Sequence, residues 1–254
     1  MLVTEQQPLL KVVDLCKHFG GLVAVDNVSM DVYPGEVVGL VGDNGAGKST
    51  LIKMVSGVYH PDDGQIFLEG EEVHTDSPME ARNRGIETIY QDLALCENLD
   101  ATVNIFLGRE PMRRQLGILN VVDRDHMLTE SETVLNQLDI EIPNLQRAMR
   151  QMSGGQRQAV AIARAVYWDA RLMIMDEPTA ALAVAEQRKV LDLCRTLRDR
   201  GVPVLIISHN LQDVFAVADR IVVLRRARKV AELIAKETNT DEVVALMTGS
   251  KLGD

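Results

Sequence analysis

The run Gly42-Asp43-Asn44-Gly45-Ala46-Gly47-Lys48-Ser49-Thr50 leaves this chain less conformational choice than any other segment. It follows the apolar stretch EVVGLV and opens the helical pattern LIKMVSG, so a buried strand must pass through a glycine-rich turn directly into a helix. Glycines in such a turn let successive backbone N–H groups point inward around a phosphate chain, and the helix N-terminus adds a favourable potential for anions. In that geometry Lys48 reaches the outer phosphates and the Ser49 hydroxyl ligates Mg²⁺.

The remaining pattern supplies the sheet that such a unit needs. Residues 9–41 carry β-rich runs punctuated at Gly20-Gly21 and Pro34-Gly35, which read as antiparallel strands leading into one buried strand. From Leu172 onward RLMIMDE, AEQRKVLDLCRTLRDR, VPVLIISH and IVVLR alternate continuous apolar strands with helices, the mark of a parallel sheet covered on both faces. The stretch from about Asn98 to Met149 is more polar, and Met127, Val134, Leu135 and Leu138 recur at helical spacing. It is expected to be a helical insertion. TNTDEVVALMTG is expected to be a capped terminal helix.

A phosphate grip needs a second metal contact and a group to activate water. LMIMDEP supplies both: Asp176 ends an apolar strand, where its carboxylate holds Mg²⁺ directly or through water, and Glu177 polarises the attacking water. MSGGQ adds a second anion site. There Ser153 is placed as a helix N-cap and Gly154, Gly155 and Gln156 open the helix QRQAVAIARAVYW with free amides, although the chain offers no second nucleotide to fill them.

The run QMSGGQRQAVAIARAVYWDARLMIMDEPTAAL resembles the ABC (ATP-binding cassette) ATPase family from its signature sequence through Walker B. The resemblance implies an α/β fold: a P-loop NTPase (RecA-like) core with an N-terminal antiparallel β subdomain and an α-helical insertion subdomain. The core would take residues 1–94 and 167–254, and the helical subdomain about 95–166. It implies ATP and Mg²⁺ as cofactors. It also implies a homodimer when ATP is bound, in which the signature of one copy closes over the nucleotide of the other.

Three further positions take their roles from the resemblance: Gln91 as the glutamine that touches Mg²⁺ and water, His209 as the histidine that contacts the γ-phosphate, and Phe19 as the aromatic that stacks on adenine. Catalysis would rest on Glu177, His209 and Lys48. The family often has an aspartate where Ala183 stands, which concerns coupling between subunits rather than nucleotide binding. Met152 in place of the usual leucine preserves volume.

GDNGAGKSTLIKMVSGVYHPDDGQIFLEGEEV, YQDLALCENLDATVNIFLGRE and EVVALMTG resemble the ATPases of bacterial sugar importers of the second carbohydrate-uptake type. FGGLVAVDNVS is also similar to branched-chain amino-acid import ATPases, a minor alternative. The resemblance implies transmembrane permease subunits as partners and, indirectly, a periplasmic or lipid-anchored solute-binding protein. It places the chain peripherally on the cytoplasmic face of the inner membrane.

Charge and composition agree with that reading. A net charge of -10 argues against nucleic acid as a partner, because counterion release needs clustered Lys and Arg. This disfavours a soluble ABC protein of translation or DNA repair. The N-terminal segment has no signal-peptide pattern, and no apolar run approaches the roughly 18 residues of a membrane span. Cys16, Cys96 and Cys194 lie far apart and are expected to be reduced structural thiols.

Overall fold

The computed structural model describes residues 7–74, 76–90, 92–115, 119–180 and 182–250. The chain begins with the antiparallel pair β1 (Leu10–Phe19) and β2 (Leu22–Val32), then crosses through β3 (Val37–Val41) into α1 (Lys48–Val55). It returns through β4 (Asp63–Leu68) and β5 (Glu71–Glu72), then α2 (Pro78–Asn83) and β6 (Ile86–Ile89). A mostly helical stretch follows: α3 (Ala101–Phe106), the hairpin β7 (Met112–Gln115) and β8 (Leu119–Val122), α4 (Arg124–Gln137) and α5 (Gly154–Tyr167). The last part alternates β9 (Leu172–Asp176), α6 (Val184–Asp199), β10 (Val204–Ile207) and α7 (Leu211–Val217) before β11 (Arg220–Arg225), β12 (Arg228–Ile234) and α8 (Thr240–Thr248).

Two larger sheets result. One is antiparallel, in the order β2-β1-β4-β5; the other has six strands in the order β12-β11-β3-β10-β9-β6. Within the second, β11, β3, β10, β9 and β6 are mutually parallel and only the edge strand β12 runs antiparallel to its neighbour. The alternation of side chains along a strand explains why these strands are apolar throughout. Val37, Met173, Met175, Val204, Ile206, Ile221 and Val223 face a core shared with α3 to α8. Val38, Leu40, Leu172, Ile174, Leu205, Ile207, Val222 and Leu224 face the opposite core, shared with α1 and the antiparallel sheet. Both faces are dry, so a polar residue at any of these positions would lack water on either side.

The hairpin β7–β8 lies inside the stretch expected to be helical, and β12 adds an antiparallel edge to the expected parallel sheet. Both have a local cause. Met112, Leu119 and Val122 are exposed, so the hairpin carries no core periodicity to reveal it. In β12 the burial is only partial, and Arg228, Lys229 and Glu232 interrupt its apolar residues.

Around α5 the packing is aromatic at one end, with the Phe106 ring 4.5 Å from Tyr167 and the Trp168 Nε1–H donating to the Ile105 carbonyl at 3.0 Å. Asn104, fully buried on α3, accepts from the Cys96 amide at 2.7 Å and donates to the carbonyls of Cys96 and Asp100. The Cys96 amide takes this side chain as its acceptor, while the carbonyls of Cys96 and Asp100 also accept from the amides of Leu99 and Asn104. All three cysteines are free thiols, and burial pushes Cys194 up to about 12. Among the described residues no helix is long and apolar enough to cross a membrane.

Candidate functional site

Register decides where the chemistry lies. Ile207 pairs with Leu40 on one side and with Asp176 on the other, so the parallel strands β3, β10 and β9 end at the same level. The residues that leave their carboxyl ends, Gly42 onward, Ser208-His209 and Glu177, therefore emerge along one edge of the sheet. Open α/β sheets bind ligands at this edge.

The glycine-rich loop after β3 has the local geometry of an anion cradle. Gly47 caps α1 from the left-handed region at φ 104, and a Cβ there would stand 2.5 Å from the Ala24 carbonyl oxygen, so only glycine fits. Within the loop the Ala46 amide donates to Asp43 at 3.0 Å and the Leu51 amide to Gly47 at 2.9 Å. Among the described residues the amides of Gly45, Gly47, Lys48 and Ser49 have no protein acceptor, as the start of a helix leaves them. Asp43, Asn44, Gly45 and Ser49 are exposed at the mouth, Ala46 is buried against the fold, and Thr50 lies in the first turn of α1.

Lys48 folds back across this loop. Its Nζ donates to the carbonyls of Gly42 at 2.6 Å and Asp43 at 3.1 Å. Burial lowers its pKa, opposed by the carboxylates of Glu177, Asp176 and Asp43. Asp176 shifts the other way: burial raises it first, the neighbouring Glu177 adds to this, and Lys48 and Lys53 oppose it. Lys48 and Asp176 thus share one partly dehydrated space, with two acids facing one strongly placed cation.

Glu177 is held against its own preference. It adopts φ 52, a left-handed conformation that costs a non-glycine residue roughly 1–3 kcal/mol. Three bonds fix it there: its amide donates to Ile207 at 2.9 Å, Oε1 accepts from the His209 amide at 3.0 Å, and Oε2 lies 2.7 Å from His209 Nδ1. Because a carboxylate only accepts, Nδ1 carries the hydrogen in that bond and Nε2 faces outward. The His209 ring is 73% exposed whereas the Glu177 side chain is 18% exposed, so the pair points from the sheet edge to solvent. Behind it, buried Thr179 donates to Asp213 on α7 at 2.6 Å, tying the segment after Glu177 to the helix after His209. Neither Thr179 nor Asp213 is distinctive in the sequence, since a lone hydroxyl and a lone acid 34 positions apart carry no pattern.

Ser153 caps α5 in a full capping box: its Oγ accepts from the Gln156 amide at 3.3 Å while the Gln156 side chain accepts from the Ser153 amide at 3.0 Å. Against this helix start lies a side chain that sequence reasoning passed over. Glu186 packs its methylenes over Gly155, and the Ser153 hydroxyl, then the Gly155 amide, hold its carboxyl below the ordinary range. Ala183 caps α6 with no side-chain bond. Phe19 ends β1 with 43% of its surface exposed, beside Tyr59 at 5.3 Å. Gln91 lies outside the described residues.

The structure thus brings Lys48, Asp176, Glu177 and His209 into one cluster with the glycine loop, whereas Ser153 to Gln156 begin a different helix. Among the described residues no group of three or more His, Cys, Asp or Glu is arranged to hold a metal. The oxygen donors at hand, the Ser49 hydroxyl and the Asp176 carboxylate, are hard ligands few in number. They fit Mg²⁺, which keeps waters and takes substrate phosphate oxygens for its remaining positions.

Comparison with known proteins bears on the same residues. A family model described as "ABC transporter" matches residues 25–180. The xylose/arabinose import ATP-binding protein of Sulfolobus acidocaldarius is 49% identical over 245 residues, spanning 96% of this chain and 96% of that protein. The fructose import ATP-binding protein of Rhizobium meliloti is 46% identical over 251 residues, spanning 97% and 96%. A ribose import ATP-binding protein of Clostridium tetani is 39% identical over 98% of this chain, which spans 48% of its length. A nucleotide-free ATP-binding cassette from an ABC transporter superposes with a TM-score of 0.83 at 26% identity, covering 97% of this chain and all of that one. The ADP conformation of an ATP-binding cassette of an ABC transporter gives 0.80 at 26% identity, covering 96% of each chain.

Proposed function

The chain belongs to the ABC transporter family, and on that premise we propose that it binds and hydrolyses ATP to power an importer of a monosaccharide. The observation that carries the hydrolytic part is the Glu177 carboxylate, strained in its backbone and bonded twice to His209, beside Lys48 and Asp176 at the end of the phosphate loop. The sugar part rests on relatives named for import of xylose or arabinose, fructose and ribose, which favours a sugar over a branched-chain amino acid.

Each residue then has a physical task. The amides of Gly45, Gly47, Lys48 and Ser49 hold the β- and γ-phosphates, and the Lys48 ammonium exchanges its two loop carbonyls for phosphate oxygens. Ser49, Asp176 and Gln91 would hold Mg²⁺, which would supply positive charge to the phosphate oxygens. Glu177 accepts the proton of the attacking water, and His209 keeps that carboxylate aimed while presenting Nε2 to the γ-phosphate. Phe19 offers its exposed ring to the adenine.

Ser153, Gly154, Gly155 and Gln156 have no nucleotide of their own to meet. They close over the triphosphate of a second copy, carried there by the helical lobe of about residues 95–166. The permease follows that lobe through the segment around Gln91. A ligand buried between two arrangements that bind it unequally is what allows hydrolysis to drive such a cycle. The chain would sit at the cytoplasmic face of the membrane through its permease, with a solute-binding protein outside.

Glu177→Gln should bind ATP, accumulate a closed dimer on size exclusion and lose hydrolysis by about 10²-fold or more. Lys48→Ala should weaken binding itself. Full turnover in the first, or native hydrolysis in the second, would remove those assignments. ATP-dependent uptake of pentoses and hexoses by liposomes holding the chain with its permease tests the cargo.

A further inference from the structure

The exposed ring of Phe19 is built into position by three side chains that no nucleotide-binding motif contains. The Asp62 carboxylate grips the end of β1 with both oxygens: Oδ1 lies 2.6 Å from Lys17 Nζ, and Oδ2 accepts from the His18 amide at 2.6 Å. The Asp62 amide in turn donates to the Cys16 carbonyl at 2.9 Å. Lys17, so held, stands with its ammonium 5.7 Å from the Phe19 centroid. Tyr59 meets the same ring edge-on at 5.3 Å and 70°. Tyr59 is itself fixed to the end of α1, its amide donating to Lys53 at 2.9 Å and the Lys53 ammonium standing over its ring at 5.4 Å.

These contacts form one mechanical path. α1 starts at the phosphate loop and ends two turns later, so Tyr59 belongs to the body that would hold the phosphates. Tyr59 and Lys17 then fix Phe19 relative to that body, and 43% of the ring surface remains open. A base stacked on a ring that is already immobile forfeits less rotamer freedom than one that must order the ring first.

We propose that Asp62, with Lys17 and Tyr59, is a latch that pre-positions Phe19 for the nucleobase and so sets how much the base contributes to nucleotide affinity. Asp62, Lys17 and Tyr59 are positioning residues, and the proposal rests on Phe19 being the adenine platform. Lys17 and the His18 amide also hold the Asp62 carboxyl below the ordinary carboxylate range, in keeping with bonds made to its ionised form.

A ligand without a base separates this role from a general weakening of the fold. Calorimetric binding of ATP and of tripolyphosphate, each with Mg²⁺, should show Asp62→Ala losing about tenfold in affinity for ATP and staying within about twofold of the native protein for tripolyphosphate. Asp62→Asn, which keeps an acceptor for the His18 amide, should recover part of the loss. Phe19→Ala should give the same selective loss, and adding Asp62→Ala to it should cost nothing further, because the latch acts only through the ring. Equal loss for both ligands, or no loss for either, in Asp62→Ala while Phe19→Ala remains selective would overturn the latch alone. Absence of any selective loss in Phe19→Ala would overturn the platform and the latch with it.

Discussion

Gly45 and Gly47 stand two residues apart in one loop, both at positive φ, 79 and 104. Replacing each by alanine should nevertheless have unequal effects. A Cβ on Gly45 meets nothing within 4 Å, so its cost is the backbone term alone, about 1–2 kcal/mol for a left-handed alanine. The reduced freedom of the unfolded chain returns roughly 0.4–1 kcal/mol of that. A Cβ on Gly47 stands 2.5 Å from the Ala24 carbonyl oxygen and 3.5 Å from the Val25 side chain. The oxygen belongs to β2 and cannot rotate away as a flexible side chain would. Overpacking of this kind adds about 1–3 kcal/mol to the backbone strain, for a net cost of roughly 2–4 kcal/mol. At about 2–4 °C per kcal/mol for a chain of this size, Gly45→Ala should lower the nucleotide-free melting temperature by no more than about 6 °C. Gly47→Ala should lower it by about 5–15 °C. Differential scanning fluorimetry without nucleotide reads both. Equal shifts, or a larger one for Gly45→Ala, would refute the reasoning that the close approach of β2 sets the cost.

His209→Ala should lower kcat by about 10–100-fold, the worth of a charge-assisted bond once water is excluded, with KM for ATP within about twofold. Its melting temperature should stay put, because an exposed pair contributes at most about 1 kcal/mol to stability; a matching rise in KM would return His209 to mere ground-state binding. Asp176→Asn should stabilise the nucleotide-free protein at pH 7.5. Burial raises the Asp176 pKa, so the folded state favours its proton: the stability is present in full below the ordinary value of 3.8 and is lost as pH rises through the raised value. The melting-temperature gap between variant and native protein should therefore close as pH falls toward 4, and a variant less stable than native at pH 7.5 would contradict the sign. Asn104→Ala should cost about 1–3 kcal/mol in urea denaturation, since it empties a fully buried position on α3 and removes the acceptor of the Cys96 amide, while the carbonyls of Cys96 and Asp100 keep the amides of Leu99 and residue 104 as donors. A loss below about 1 kcal/mol would mean that the 92–100 loop opens to water instead.

The parallel sheet was legible because each of its central strands is apolar on both faces, α5 and α8 because their caps and periodicity agree, and α6 by its periodicity and the closing Gly201. The hairpin β7–β8 was not, since its apolar residues face outward and leave no alternation tied to a core. The candidate site was legible wherever its residues are close in sequence, as in Gly42 to Thr50 or Asp176-Glu177. It was illegible where the partner is remote: Asp213 behind Thr179, Glu186 over Gly155, Asp62 beneath Lys17.

Sequence alone determined that a strand must turn through glycines into a helix, that two acids follow a buried strand, and that a serine caps a second helix start. These are local rules of backbone freedom, burial and capping, which act between neighbours and so leave a pattern in the order of residues. Only the tertiary structure decided that Leu40, Asp176 and Ile207 share one level, that the Glu177 carboxylate meets His209, and that Gly47 rather than Gly45 lies against β2. Strand register and packing distance arise from the whole sheet closing over two cores, and no short stretch of chain carries them.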